Sequence, residues 1–167
     1  MSVGTFPVQT AEGPSLKVCV GASSGGHMTE LLGLLTTVGA WPVQPSIYVT
    51  SRPIWAKKLE ELGPTYVVGE CDRNKPLQIL ITAWKSLRLV LRERPDVVIS
   101  TGSLPIAILC LIAKLFKSKV VWIDSIAQLD DLSMSGKLVR RYADVFITQW
   151  PEVAARYSNA EYVGELL

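Results

Sequence analysis

The chain has 167 residues, 49% of them hydrophobic and only 19% charged, with a mean hydropathy of +0.28. That is one domain by length and too apolar for a disordered chain. It is also less charged than the roughly 25% of an average soluble domain, which predicts an apolar patch on the surface. Seventeen Lys+Arg against fifteen Asp+Glu leave a net charge of +2, too mild to suggest nucleic acid as a partner.

Cys19, Cys71 and Cys110 are odd in number and form no CxxC pair. Together with the single histidine, His27, they predict neither a disulfide framework nor a metal site, and they fit a reducing compartment. Residues 1–15 lack the basic and apolar regions of a signal peptide and read as a flexible leader, with a single domain over 16–167. The longest charge-free apolar run, Leu104 to Ala113, is half of the about 20 residues that a membrane span needs.

In chain order, the apolar run Leu16–Val20 predicts a buried strand. A small polar turn follows, Gly21-Ala22-Ser23-Ser24-Gly25-Gly26-His27. Leu31, Leu32, Leu34, Leu35 and Val38 then recur at helical spacing, with Gly39 as a stop. Ile47–Thr50 is a second strand. Ile54, Ala56, Leu59 and Leu62 mark a short helix closed by Gly63-Pro64, and Tyr66–Val68 is a third strand. Leu77–Arg94 is the longest helix. Its apolar stripe is Leu77, Leu80, Ile81, Trp84, Leu87 and Leu91, and Pro95 stops it. Val97–Ser100 is continuously apolar, as a strand buried on both faces must be.

Gly102-Ser103-Leu104-Pro105 opens another apolar helix that ends near Lys117. Strands at Val120–Ile123 and Val145–Thr148 follow, with a short helix at Leu138–Tyr142 between them. A helical turn at Glu152–Tyr157 and a last strand at Tyr162–Val163 complete the pattern. Strands alternating with helices predict an α/β fold, a Rossmann-like doubly wound parallel sheet.

The glycine-rich turn after strand 1 leaves backbone N–H groups free at a helix N-terminus, where an anion of phosphate size fits. It has neither the GK[ST] of an ATP loop nor GxGxxG. Ser51-Arg52 stands where a dinucleotide ribose wants an acid, so ATP and NAD are both disfavoured and no cofactor is expected. Thr101-Gly102-Ser103 repeats the strand–small residue–helix pattern, and Asp124-Ser125 ends a further strand. In open α/β sheets ligands bind beyond the carboxyl ends of the strands, so these three loops converge on one edge. His27 reads as catalytic or structural, and Asp124 as a site acid or a turn acid. Ser133-Met134-Ser135-Gly136-Lys137 reads as a phosphate turn or a helix cap. Lys85, Arg88 and Arg92 beside Trp84 suit a helix lying on anionic lipid or against a partner. The alternative is an ordinary helix packed on the sheet with a solvated basic edge.

At this point a resemblance appears. Residues 21–27 with the following Leu-Leu pattern and Asp96-Val97-Val98-Ile99-Ser100-Thr101-Gly102 resemble one glycosyltransferase subunit family. So do Leu132–Leu138, Ala143-Asp144-Val145-Phe146-Ile147-Thr148-Gln149-Trp150-Pro151 and Tyr162-Val163-Gly164. The family comprises the PssD-like and CpsF-like bacterial polysaccharide subunits and the anchor subunit of the eukaryotic enzyme that adds the second GlcNAc to dolichol diphosphate. The resemblance runs in order from about Lys17 to Leu167. It implies the N-terminal half of a GT-B glycosyltransferase whose nucleotide-sugar-binding half is a separate chain. A weaker resemblance to MurG-type transferases rests on Ser24-Gly25-Gly26-His27, Thr101-Gly102-Ser103 and Asp124.

The resemblance implies acceptor diphosphate binding by Ser23, Ser24, Gly25, Gly26, Thr101, Gly102, Ser103 and Ser125, with His27 or Asp124 as general base. It implies as partners a donor-binding subunit and a lipid-diphosphate-linked sugar, and a peripheral location at the cytoplasmic membrane face. The alternative function is a scaffold that recruits the catalytic subunit to the membrane and does no chemistry.

Overall fold

The computed structural model describes residues 16–166; the leader expected over 1–15 lies outside the described residues. Seven parallel strands form one sheet in the order β3-β2-β1-β4-β5-β6-β7. They are β1 (Val18–Ala22), β2 (Pro45–Thr50), β3 (Thr65–Val67), β4 (Val97–Ser100), β5 (Lys119–Ile123), β6 (Val145–Thr148) and β7 (Glu161–Tyr162). The helices between them are α1 (Gly26–Thr36), α2 (Pro53–Glu60), α3 (Pro76–Glu93), α4 (Leu104–Leu115), α5 (Met134–Val139) and α6 (Pro151–Ala154). The doubly wound parallel sheet read from the alternation is therefore the fold.

Proline sets the start of several helices. Pro53, Pro76 and Pro151 each open one, because the first helical N–H has no partner and the fixed φ of proline suits that position. The apolar pattern placed these starts one residue late. The last short helix of the domain's centre was misplaced more: α5 begins at Met134, not Leu138. Ser133 causes this, since its Oγ accepts the Gly136 N–H at 2.8 Å and caps the helix. β1 also runs two residues further than the apolar run, through Gly21 and Ala22. A Cβ on Gly21 would meet Ile106 at 3.3 Å, so the small residue lets α4 cross closely.

Two apolar layers cover the sheet. One joins Cys19, Val49, Val98 and Trp122 to α3 and α4; the other joins Val18, Val20 and Tyr48 to α1 and Leu59 of α2. Trp122 is fully buried, and its loss to Ala would cost about 3–5 kcal/mol. Cys19 and Cys110 lie in the first layer as free thiols. Burial pushes both thiols up, Cys110 to about 12, so they are inert packing groups.

Burial also draws the Asp144 carboxyl upward. The Lys114 ammonium, the Val120 N–H and the Lys119 ammonium together outweigh burial and hold it at about 2. That cluster ties the start of β5 to the turn before β6.

α3 departs from the packing that its pattern suggests. Thr82, Ser86, Leu89 and Val90 are its buried residues. Leu77, Leu80, Ile81, Trp84 and Leu91 are exposed, Trp84 at 66%. The small Thr82 and Ser86 fit a close contact between helices, and the large apolar stripe is left facing outward.

Candidate active site at the switch point of the sheet

The chain builds β1, β2 and β3 in one direction and then returns to add β4 on the other side of β1. The switch point therefore lies between the carboxyl ends of β1 and β4, where such sheets bind ligands. Two loops leave it, Ser23–Gly25 before α1 and Thr101–Ser103 before α4. They are stitched together: Thr101 Oγ1 donates to the His27 carbonyl at 2.7 Å, and the Thr101 N–H donates to the Gly21 carbonyl.

His27 stands on the first turn of α1 and packs against the second loop. Its Nδ1 lies 2.8 Å from the Thr101 carbonyl oxygen. A carbonyl only accepts, so Nδ1 carries the proton and Nε2 keeps its lone pair. Nε2 makes no hydrogen bond among the described residues, and the side chain remains 27% exposed. The neighbouring backbone is shaped to the ring: a Cβ on Gly102 would meet its Cε1 and Nδ1 at 2.6 Å, at a φ of +118°. Burial works against the imidazolium. The adjacent Glu30 carboxylate, the Thr101 carbonyl and the charges of Glu30 and Asp124 outweigh it, and the His27 pKa lies above 6.5.

Both helix N-termini at this edge carry unusual backbone. Gly25 caps α1 at φ +74° and ψ −141°, a conformation open only to glycine. Ser103 caps α4 at φ +86° and ψ 155°. For a residue with a Cβ that region costs of order 1–3 kcal/mol. Its Oγ is buried and unpartnered. A Cβ on Gly26 would meet nothing within 4 Å, so the space above the start of α1 is open.

Behind His27 lies a polar core that the sequence reading missed. Glu30 is completely buried. Its Oε1 accepts from the Ile126 N–H at 2.7 Å and from Ser125 Oγ and Gln149 Nε2 at 3.2 Å each. Among the described residues its Oε2 has no hydrogen-bond partner; it lies 3.6 Å from His27 Nδ1, an ion-pair distance rather than a hydrogen bond. Gln149, also fully buried, donates to the Asp124 carbonyl at 3.0 Å as well. The spacing His27-x-x-Glu30, which puts both residues on one helix face, was the available signal.

Asp124 is 1% exposed, and both its oxygens are engaged. Oδ1 accepts from Trp122 Nε1 and Ser133 Oγ, at 3.1 and 2.6 Å, and Oδ2 accepts the Ser133 N–H at 2.7 Å. A Cβ on Gly136 would lie 2.7 Å from Oδ1, so α5 seals the carboxylate. Of the two readings of residues 133–137, the helix cap is the observed one, and Lys137 bonds to Asp131. Ser125 turns inward to Glu30. Ser23 is nearly buried, and Ser24 Oγ donates to Glu70, which also binds Arg52.

The basic residues line a second feature. Lys85, Arg88 and Arg92 join Tyr66, Val68 and Leu89 around a pocket of about 270 Å³. A groove of about 390 Å³ between Cys71, Arg73, Leu104, Met134 and Leu138 lies beside the start of α4. Among the described residues no helix is long and apolar enough to cross a membrane.

The doubly wound parallel sheet with this switch-point edge is Rossmann-like, the architecture of one half of a GT-B fold. MurG of Acinetobacter baumannii shares the fold with a TM-score of 0.71 at 18% identity, over 90% of this chain and 46% of that one. The chain thus spans under half of MurG's length. A family model described as "Oligosaccharide biosynthesis protein Alg14 like" matches residues 57–166. The UDP-N-acetylglucosamine transferase subunit ALG14 of Mus musculus is 30% identical over 182 residues, covering 92% of this chain and 84% of the mouse protein. The subunit alg14 of Schizosaccharomyces pombe is 37% identical over 165 residues, 84% of this chain and 79% of the relative. The chain belongs to the Alg14 family of oligosaccharide biosynthesis proteins.

Proposed function

We propose that this chain is the acceptor-side subunit of a two-chain UDP-N-acetylglucosamine transferase that extends a lipid-diphosphate-linked sugar. The observation that carries the reading is His27: its Nδ1–H is fixed on the Thr101 carbonyl, which leaves Nε2 as the base at the open switch-point edge. A nucleotide-sugar transfer needs a base beside the acceptor hydroxyl. Asp124, with both oxygens bonded, fits a positioning role; His27 is the base. The N-termini of α1 and α4, with Gly25, Gly26, Gly102 and Ser103, hold the acceptor's diphosphate through their amides. The groove past Leu104 takes the first part of the lipid chain. A partner subunit supplies the UDP-sugar site and compensates the leaving diphosphate.

The exposed stripe of α3, with Trp84, rests on the cytoplasmic face of the membrane, and Lys85, Arg88 and Arg92 meet anionic headgroups. The test is His27→Ala in the assembled two-chain enzyme. We expect kcat to fall about 10²–10⁴-fold with complex assembly intact. Full activity with an intact complex would refute His27 as the base and favour the non-catalytic scaffold.

A further inference from the structure

We infer that Glu30 is the positioning residue of the base: its buried, unpartnered Oε2 faces His27 Nδ1, fixes the imidazole and stabilises the cation that forms during transfer. The inference rests on the reading of His27 as the base. Glu30 has two separable jobs. Oε1 is structural, since it gathers Ser125, Ile126 and Gln149 from the β5 and β6 ends. Oε2 serves no such purpose. A carboxylate oxygen buried without a hydrogen bond loses its hydration with nothing in return. Among the described residues the one basic group it is paired with is the imidazole 3.6 Å away.

The proton inventory closes. The acceptor hydroxyl gives its proton to Nε2, and its oxygen bonds to the anomeric carbon. The bond from that carbon to the UDP oxygen breaks, and UDP leaves with the electron pair. His27 is then an imidazolium, with Nδ1–H on the Thr101 carbonyl and its charge against Oε2. It returns the proton to solvent or to the departing phosphate.

The groups facing the ring are few. Glu30 contributes from α1, Asp124 from the end of β5, and the loop before α4 presents only the Thr101 carbonyl. Asp124 lies among its own donors Trp122 and Ser133, which leaves Glu30 as the nearer charge on Nδ1.

Because the chain has one histidine, its ring titration is readable directly. With this chain alone isotope-labelled in the two-chain complex, the His27 Hε1 resonance is followed against pH. Wild type should titrate above 6.5. Glu30→Gln keeps an oxygen for the three Oε1 bonds and puts a neutral amide opposite Nδ1. It should lower the His27 pKa, because the opposing charge is gone while the burial remains. The acid limb of kcat/KM should move down with it, kcat should fall at least tenfold, and the KM for UDP-sugar should hold.

An unmoved titration and an unmoved acid limb in folded Glu30→Gln would overturn the inference. If that variant fails to fold, a wild-type His27 pKa below 6.5 overturns it alone. Failure of the base reading shows differently: His27→Ala then keeps its activity, whatever Glu30 does to the titration.

Discussion

Gly102→Ala isolates the alignment of His27 from the rest of the fold. The new methyl would sit 2.6 Å from Cε1 and Nδ1 of the ring, about an ångström inside ordinary contact. Two costs follow. Alanine at φ +118° carries backbone strain of roughly 1–2 kcal/mol. The clash is relieved more cheaply, because the ring is part-exposed and can swing off the Thr101 carbonyl. The backbone term therefore dominates stability, and Tm should drop by about 2–8 °C for a domain of this size. The ring displacement dominates catalysis. It frees Nδ1 from Thr101 and moves Nε2 away from the acceptor, so kcat should fall toward the loss seen for His27→Ala, while the UDP-sugar KM stays put. The assay is steady-state transfer by the two-chain enzyme beside a thermal melt. Wild-type kcat in folded Gly102→Ala would refute the argument, since no arrangement of this loop holds both the methyl and the observed ring.

Gly26→Val adds a side chain where a Cβ meets nothing within 4 Å. The fold should survive, and acceptor KM should rise at least tenfold with the UDP-sugar KM unchanged; weakened donor binding alone would place the loop against the other substrate. The full chain should pellet with vesicles containing anionic lipid and be released as salt rises, because screening weakens exposed charges. Lys85, Arg88 and Arg92 changed together to Gln should remove that binding, and unaltered binding would detach α3 from the membrane.

The fold was legible because its signals are local. Apolar runs such as Val97–Ser100, separated by helical spacing, identify buried parallel strands, and the structure moved element boundaries, as at Gly21, Pro53, Pro76, Ser133 and Pro151, without changing the order of elements. The edge was legible as well, since small-residue turns after strands 1 and 4 mark a switch point once the sheet is known to be doubly wound. Two things were not. The stripe of α3 has helical spacing whether it faces the core or outward. Only the burial of Thr82 and Ser86 shows that the larger residues are outside. Glu30 lies inside a leucine-rich helix, and nothing in that local pattern singles it out. Its burial depends on Ser125, Ile126 and Gln149, which sit 95 to 119 residues away, and no local pattern reports contacts at that range.

Ser103 bears on whether this edge does chemistry or only holds a partner. A scaffold has no use for a strained residue, and selection keeps strain where geometry serves function. Ser103 sits in a backbone region suited to glycine, with its Oγ buried and unbonded. Ser103→Gly should relieve about 1–3 kcal/mol of strain. The greater freedom of glycine in the unfolded chain returns about 0.5–1 kcal/mol of that. The net gain of about 1 kcal/mol should raise Tm by about 2–4 °C. If the hydroxyl and the rigid turn serve the acceptor at the start of α4, the same variant should lose several-fold in kcat/KM for the acceptor. A more stable protein that is a worse enzyme is the signature of a working site. A variant that is more stable and fully active would leave Ser103 outside the site and give the scaffold reading its strongest support.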